Sequence, residues 1–359
     1  MFEYTYKNLD NALNRIYPNV KPDTNALYEN LRRNLIQTSA YKSYWQTQQL
    51  NDSLSGKMDK KPEQINNDFN VNYMRTEYVH TVRSARMAQR WTEFEANKHV
   101  YPYLEYMPST AAEPRMEHQK FYGIIKPVDD PFWDTWLPPN GWGCKCSVRP
   151  VRNNNDAKPL PADMPPMPPK AMQHNPAKTG EIFSNETSYF KKVKTELPQP
   201  KQQAVREAFE LLKETIPYEL AYQSKGKVYT HIFKEEPEKY NENLETAKLL
   251  ADNFDMEIKI RPLINADNYK NPDFIINGLF ADQAIYGKSK NFYNFITNSF
   301  KDKFSKKRNG QLNKTGGYLI LSFSQKIVID IKYIKNKLNF YKDKCFKVFI
   351  INGNEIFTL

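Results

Sequence analysis

The sequence predicts a mixed fold, in which a mainly helical, loop-rich N-terminal half precedes a C-terminal α/β domain. Three observations support this division. Apolar residues recur at helical spacing before residue 100, eight prolines lie between residues 150 and 176, and short helices and strands alternate after Lys225. The predicted divisions are an N-terminal domain at 1–185 that contains the proline-rich segment 150–176, a helical linker at 186–224, and the C-terminal domain at 225–359.

The composition limits the class of protein. A chain of 359 residues is long enough for two or three domains, each with its own core. The mean hydropathy of −0.77 and the lack of a long apolar run predict a protein without a membrane partner. Three cysteines, at 144, 146 and 345, are too few for a disulfide framework, so we expect reduced thiols.

Basic residues are concentrated near the C-terminus. Between Tyr286 and Lys347 there are fifteen basic and three acidic residues. Such a field favours a polyanionic partner, most simply nucleic acid, although a solvated surface that only keeps the protein soluble remains an alternative. The residues expected to contact nucleic acid are Lys290, Lys301, Lys303, Lys306, Lys307 and Arg308.

Two long helices are predicted in the N-terminal domain. Leu27, Leu31 and Leu35 recur every four residues, after an Asp23-Thr24 pair that is suited to capping. A second apolar stripe lies between Val71 and Lys98 and would pack against the segment that follows. Its members are Met74, Tyr78, Val82, Ala85 and Ala88.

The segment from Arg115 to Cys146, here called the aromatic segment, is dense in tryptophan, phenylalanine and proline. Its prolines predict repeated turns, and its large aromatic side chains predict burial. His118, Cys144 and Cys146 carry donor atoms that zinc accepts, which makes a structural zinc site a candidate. The spacing of one residue between the cysteines is not the usual C-x2-C, so buried thiols without a metal are the alternative.

The aromatic segment also carries a family resemblance. The order of His118, Gly123, the run from Asp129 to Trp133, Pro138-Pro139 and the run from Gly141 to Cys146 resembles the phage Mu F-like minor head, or head morphogenesis, proteins of tailed phages. The resemblance begins near Arg75, ends near Phe183 and departs from the usual pattern at Lys145, where arginine is commoner. It implies a role in capsid assembly, portal and capsid proteins as partners, and a place in the virion head after assembly in the host cytoplasm.

In the C-terminal domain, the most informative stretch is Asn271 to Asp282. Asn277-Gly278 between two short apolar runs predicts a two-residue hairpin turn. With that turn, Asp273 directly faces Asp282, and two opposed carboxylates repel each other. A divalent cation between them would relieve the repulsion, and Mg²⁺ suits such oxygen ligands. A turn shifted by one residue would instead place the two side chains on opposite faces.

The predicted order of helix, three strands, helix and strand, with acids at Glu242, Asp273 and Asp282, resembles the restriction-endonuclease-like PD-(D/E)xK nucleases, which have an αβββαβ core. More narrowly, Glu242-Asn243, Asn271-Pro272-Asp273 and Asn277-Gly278 resemble the transfer-RNA nuclease domains of contact-dependent inhibition toxins. The resemblance implies a metal-dependent phosphodiesterase that acts on tRNA or another nucleic acid, with Mg²⁺ held by Glu242, Asp273 and Asp282, and an immunity protein as a further partner.

One departure from the nuclease pattern matters for activity. The pattern calls for lysine two residues after the second acid, and position 284 is alanine. Lys288 is the candidate for the missing catalytic lysine, and Lys290 is a second candidate. The alternative is a purely structural virion protein whose C-terminal domain is inactive and binds nucleic acid or another head protein. A secreted bacterial toxin that uses a borrowed head module is a third reading.

Overall fold

The structure is a computed structural model that describes residues 1–287, 291–307 and 310–359. The chain divides into two compact units, Met1–Arg206 and Glu207–Leu359. Among the described residues, no helix combines the length and the apolar character that a membrane span requires.

The first unit is mainly helical. In chain order its elements are α1 (Phe2–Asn14), α2 (Ala26–Leu54), α3 (Pro62–Asn67), a π-helical turn (Asp68–Tyr73), α4 (Met74–Asn97), β1 (Tyr103–Met107), α5 (Met116–Gln119), β2 (Ile125–Pro127), α6 (Phe132–Trp136), β3 (Ser147–Val151), a 3-10 turn (Lys170–Met172), α7 (Pro176–Thr179), α8 (Ser188–Lys191), a second π-helical turn (Lys192–Glu196) and α9 (Gln199–Leu212), which runs past the boundary at Arg206.

The two predicted long helices are confirmed as α2 and α4. Leu31 and Leu35 on α2 and Ala85 and Ala88 on α4 are fully buried in one apolar cluster. The cap of α2 is Asn25 rather than Asp23-Thr24, because the Asn25 side chain accepts a hydrogen bond from the backbone N–H of Tyr28 at 2.9 Å.

The aromatic segment forms short elements joined by turns, as predicted. Strands β2, β1 and β3 make a small antiparallel sheet, to which the aromatic segment contributes β2. Trp133 is fully buried, and its indole N–H donates to the carbonyl of Pro127 at 2.9 Å. Trp142 differs from the expectation of burial, because 40% of it is exposed.

The proline-rich segment packs on the aromatic segment, within the first unit. From 152 to 169 the chain forms neither helix nor strand, as expected for a polyproline-type stretch. The backbone N–H of Lys158 donates to the carbonyl of Gly123 at 3.2 Å, and Lys120 contacts Asp163 at 2.7 Å. These contacts fasten the segment to the aromatic segment.

The second unit is built on a mixed sheet. In chain order its elements are a 3-10 turn (Lys213–Thr215), β4 (Glu219–Gln223), β5 (Lys227–Thr230), α10 (Pro237–Asn253), β6 (Glu257–Ile260), β7 (Phe274–Ile276), β8 (Leu279–Tyr286), α11 (Phe292–Phe304), β9 (Gly317–Phe323), α12 (Ile331–Phe340), β10 (Cys345–Asn352) and β11 (Glu355–Thr358). The strands lie in the order β11-β10-β9-β8-β7-β6-β5-β4.

The predicted αβββαβ core is confirmed by α10, β6, β7, β8, α11 and β9. Strands β6, β7 and β8 form an antiparallel meander, and β9 adds in parallel to β8. Strand β4 was not predicted. It lies within 186–224, the stretch expected to be a helical linker, and pairs with β5. The last hairpin turns at Gly353-Asn354, because Asn352 of β10 pairs with Glu355 of β11.

Helix α10 covers one face of the sheet and helix α11 covers the other, so the side chains of β8 face one helix or the other. Ala281 on β8 packs with Leu250 of α10, whereas Phe280 and Ala284 pack with the cluster around Phe300 of α11. Because side chains alternate along a strand, Asp282 faces the same side as Phe280 and Ala284.

Candidate functional site

The β7–β8 hairpin has the predicted register. Ile276 pairs with Leu279, Ile275 with Phe280 and Phe274 with Ala281, which leaves Asn277 and Gly278 as the loop. Both loop residues have positive φ, 47° at Asn277 and 82° at Gly278. A turn of this kind matches the twist of the flanking strands, and Asn-Gly adopts it readily. The register therefore brings Asp273 opposite Asp282.

The two aspartates are buried and in contact. Asp273 is 5% exposed and Asp282 is 1% exposed, and each carboxyl group shifts the pKa of the other. The backbone N–H of Gln283 also donates to Asp273 Oδ2 at 2.8 Å. The prediction that these side chains meet across the hairpin is correct.

Two lysine side chains lie against the aspartate pair, and their ammonium groups can balance its negative charge without a divalent ion. Lys239 Nζ lies 2.8 Å from Asp273 Oδ1, and Lys303 Nζ lies 2.8 Å from Asp282 Oδ2. The side-chain amide of Gln311 also donates to Asp282 Oδ2. The sequence predicts that the pair needs a cation to coexist, and the structure supplies two ammonium groups.

The two carboxyl groups have pKa values that are shifted in opposite directions. Burial and the hydrogen bond to Asp273 raise the pKa of Asp282 well above its ordinary value. Burial also opposes ionisation of Asp273, but the hydrogen bond from Asp282 and the Lys239 ammonium outweigh it and lower the pKa of Asp273. Asp282 therefore keeps its proton to a higher pH than Asp273 does.

Glu242 is not brought to the pair. It is exposed on α10, and the oxygen atoms of Glu242, Asp273 and Asp282 do not form a group within 4.8 Å of one another in the described part of the chain. The acid near the pair is Glu235, which the sequence reasoning missed. Lys239 Nζ contacts Glu235 Oε1 at 3.4 Å as well as Asp273, and burial raises the pKa of Glu235.

The lysines and the arginine that are predicted to contact nucleic acid differ in where the structure places them. Lys288, Lys290 and Arg308 lie outside the described residues. Lys301, Lys306 and Lys307 are exposed, and Lys303 is the one of the four described lysines that reaches the carboxylate pair. Ala284, where the nuclease pattern has lysine, lines a cleft of about 540 Å³ together with Lys303, Asn294 and Asn298.

The donor chemistry of this pair fits a hard cation. Mg²⁺ is usually held by one or two carboxylates and completes its shell with water and substrate phosphates. Asp273 and Asp282 supply the two carboxylates, and Glu235 lies behind them through Lys239. Because the pKa of Asp282 is raised, a divalent ion would compete with a proton for this carboxyl group.

A second cluster lies in the aromatic segment. His118 Nδ1 is 3.6 Å from Cys144 Sγ and 3.7 Å from Cys146 Sγ. All three residues are buried, and their donor atoms lie within 4.8 Å of one another, so the group could hold a metal ion. The hydrogen bond from Cys146 lowers the pKa of Cys144 to about 4, against the opposing effect of burial, while Cys146 keeps its proton because that hydrogen bond and burial raise its pKa. One thiolate is therefore already favoured.

His80 is not a member of this cluster. Its Nε2 lies 3.3 Å from the carbonyl of Ile182, and its ring packs between Trp142 and Phe183. Burial lowers the pKa of His80 to about 4, so the ring is neutral at ordinary pH. It is a core residue of the first unit.

Comparison with known proteins gives a match in the N-terminal half. Residues 30–149 match the family model described as "Phage Mu protein F like protein". The putative capsid assembly protein F of Escherichia phage Mu is 33% identical over 88 residues, which are 24% of this chain and 18% of that protein. The Mu-like prophage FluMu F protein of Haemophilus influenzae is 35% identical over 75 residues, 21% of this chain and 17% of that protein. The resemblance predicted from the aromatic segment is confirmed over this range, and the matches span less than a fifth of each curated relative.

A solved structure resembles part of the chain weakly. The CdiA-CT/CdiI toxin and immunity complex from Burkholderia pseudomallei is 18% identical, covers 35% of this chain and 89% of its own chain, and gives a TM-score of 0.24. A TM-score this low supports no conclusion about the fold or activity of the present protein.

Proposed function

We propose that the protein is a minor head protein of a tailed phage that takes part in capsid assembly. The proposal rests on the family match at residues 30–149 and on a relative named as a putative capsid assembly protein. Its partners would be portal and capsid proteins, and its location the virion head after assembly in the host cytoplasm. Domain 1–185 would carry this role, with 186–224 as the connection to 225–359.

The head assignment is tested on particles. Phage particles purified from a lysate of the host should contain the chain when their proteins are identified by mass spectrometry. Particles of normal protein content that lack it would overturn the assignment. A full-length chain found only in the culture medium, apart from particles, would favour a secreted toxin instead.

We further propose that the C-terminal unit is a metal-dependent phosphodiesterase that cleaves RNA, with tRNA as the substrate class. The observation that carries this is the buried Asp273–Asp282 pair at the centre of an αβββαβ core. Asp273 and Asp282 would hold Mg²⁺, and Glu235, through Lys239, would help to position Asp273. Bound there, Mg²⁺ would neutralise charge on the phosphate and activate water.

We propose Lys303 as the catalytic lysine. It would take the role of the lysine that the nuclease pattern places at position 284, and it replaces Lys288 as the candidate. Its ammonium lies 2.8 Å from Asp282 and at the edge of the cleft that Ala284 lines. A cation held there by a buried carboxylate would stabilise negative charge that develops on a phosphate in the transition state. The exposed Lys301, Lys306 and Lys307 would contact the RNA backbone and make binding dependent on salt.

The alternative, a structural protein with an inactive C-terminal domain, is favoured by one residue, Ala284. Incubation of tRNA with the full chain separates the two proposals. Cleavage in Mg²⁺ that stops in EDTA supports the enzyme. Binding of tRNA without cleavage supports the inactive domain. If the enzyme is active, the host would need an immunity protein that binds this unit, and co-purification with that partner is expected.

For the cluster of His118, Cys144 and Cys146 we propose a structural Zn²⁺ ion. The support is the convergence of one imidazole and two sulfur atoms, with a thiolate already favoured at Cys144. These are the donors that zinc prefers, and water or a further side chain would complete a tetrahedral shell. Zinc would tie α5 to the end of the aromatic segment.

A further inference from the structure

A second cavity lies beside the aspartate pair. It has a volume of about 410 Å³ and is lined by Tyr269, Lys270, Phe280 and Lys314, with the amides of Asn268, Gln311 and Asn313. Gln311 joins this cavity to the pair, because its amide donates to Asp282 Oδ2 and to the carbonyl of Asn271. Pro272, the residue before Asp273, also lines the wall.

The aromatic wall of the cavity is held in place by a buried arginine. Arg261 is 3% exposed, and its guanidinium lies 5.0 Å from the centre of the Phe280 ring and 5.9 Å from that of Tyr269. It donates to the Tyr269 hydroxyl oxygen and to the carbonyl of Pro272, each at 3.0 Å, and it pairs with Glu214. The two half-buried rings are therefore fixed before any ligand arrives.

We propose that this cavity receives one unpaired nucleobase of the RNA whose phosphate lies at the Asp273–Asp282 pair. The inference rests on the proposed nuclease function and deepens it, since it names single-stranded or loop RNA as the substrate class. Fixed aromatic rings stack on any base, and amide groups of Asn268 and Asn313 offer both donors and acceptors to base edges. Lys270 and Lys314 at the wall suit the phosphates on either side.

The chemistry of the wall excludes a phosphate as the occupant of the cavity itself. A phosphate site needs converging cations or backbone N–H groups. The wall here is made mainly of two rings and neutral amides, and its two lysines, Lys270 and Lys314, are assigned above to the phosphates on either side of the base. A base placed here would leave its own phosphate free to reach Asp282, because Gln311 contacts both the cavity and the carboxylate. A duplex would have to unpair one base to enter, so paired RNA should bind less well.

The test uses the full chain in EDTA, so that divalent-dependent cleavage does not consume the probe. The probes are a fluorescent single-stranded RNA and the same RNA with abasic riboses, and the readout is fluorescence anisotropy. Tyr269→Ala should weaken binding of the RNA with bases about tenfold, the size of one base stacked on an aromatic ring, and leave binding of the abasic RNA unchanged. Tyr269→Phe keeps the ring and should bind both probes nearly as the wild type does. Tyr293→Ala, which removes a half-exposed ring of α11 outside the cavity, is the matched control.

The outcomes separate the cavity from the nuclease proposal. If wild-type protein cleaves RNA in Mg²⁺ but Tyr269→Ala loses affinity for both probes equally, or for neither, the base cavity is rejected and the nuclease proposal stands. If wild-type protein neither binds nor cleaves RNA, both are rejected. Loss of affinity for both probes by Tyr269→Phe would mean that the Arg261 contact, rather than stacking, controls binding, and would also reject the cavity.

Discussion

Lys303 of α11 lies 2.8 Å from the buried carboxylate of Asp282 on β8. Lysine is absent from position 284, two residues along the same strand, where the nuclease pattern would place it. A cation thus reaches the same carboxylate from a helix instead of from the strand. The aspartate pair, its hairpin and this lysine form the centre of the proposed active site.

Replacement of Lys303 tests its catalytic role. Lys303→Ala should lower the rate of RNA cleavage in Mg²⁺ by about 100-fold, because a charge that stabilises the transition state is lost. Cleavage is measured by gel electrophoresis under single-turnover conditions. Lys57→Ala, which removes an exposed lysine just after α2 in the first unit, should leave the rate unchanged. Wild-type rates in Lys303→Ala would show that the ion pair is only structural.

The protonation of Asp282 makes stability depend on pH. Its pKa is raised by folding above the ordinary 3.8, so its contribution to stability is complete below that value and is lost as pH rises toward the folded pKa. Asp282→Asn cannot ionise. Above about pH 4 the unfolding equilibrium constant of the wild type should therefore rise relative to that of the variant, by at most about tenfold per pH unit.

Chemical denaturation of both proteins across a pH series measures this difference. The exposed Asp267→Asn variant is the control and should follow the wild type at every pH. A constant difference between the wild type and Asp282→Asn would contradict the raised pKa of Asp282.

Metal binding tests whether Glu235 or Glu242 supports the proposed metal site at Asp273 and Asp282. Glu235→Gln should weaken Mn²⁺ binding about tenfold, the size expected for a partner behind the ligands, since Lys239 joins Glu235 to Asp273. Glu242→Gln should leave binding within about twofold of the wild type, because its side chain lies apart from the pair. Titration calorimetry gives both constants. The reverse order would restore the ligand set expected from sequence.

The proposed zinc site predicts a metal content. Elemental analysis of the purified protein should find zinc equimolar with the chain, and Cys144→Ser should lose it and melt at a lower temperature. Cys345→Ser removes the buried cysteine of β10 and should keep its zinc. Wild-type protein prepared without chelator and free of zinc would show that the cluster consists of buried thiols only.

Local sequence was sufficient where one short pattern decides the geometry. Asn277-Gly278 determined the turn, the turn determined the register, and the register placed Asp273 opposite Asp282. The apolar residues at helical spacing also predicted α2 and α4, and the alternation of short helices and strands predicted the second unit. Each pattern depends only on burial along a single element.

Sequence was insufficient where distant elements converge. By sequence Lys303 belongs to the basic surface and Lys239 has no distinguishing feature, because nothing in either local pattern reveals a carboxylate on another element. Glu242 was chosen by its place in a family pattern, whereas Glu235 reaches the site through Lys239. Strand β4 was missed because its pairing with β5 gives it order that five residues alone do not signal.

The central claim is that Asp273 and Asp282 together support metal-dependent cleavage of RNA. Its most direct measurement is the rate at which the full chain cleaves tRNA in Mg²⁺, for wild-type protein and for Asp273→Asn, whose amide keeps the size of the side chain but removes its charge. We predict cleavage by the wild type that EDTA abolishes, and a loss of about 100-fold or more in the variant. Equal cleavage by the two proteins, or intact tRNA with a folded wild type, would contradict the account.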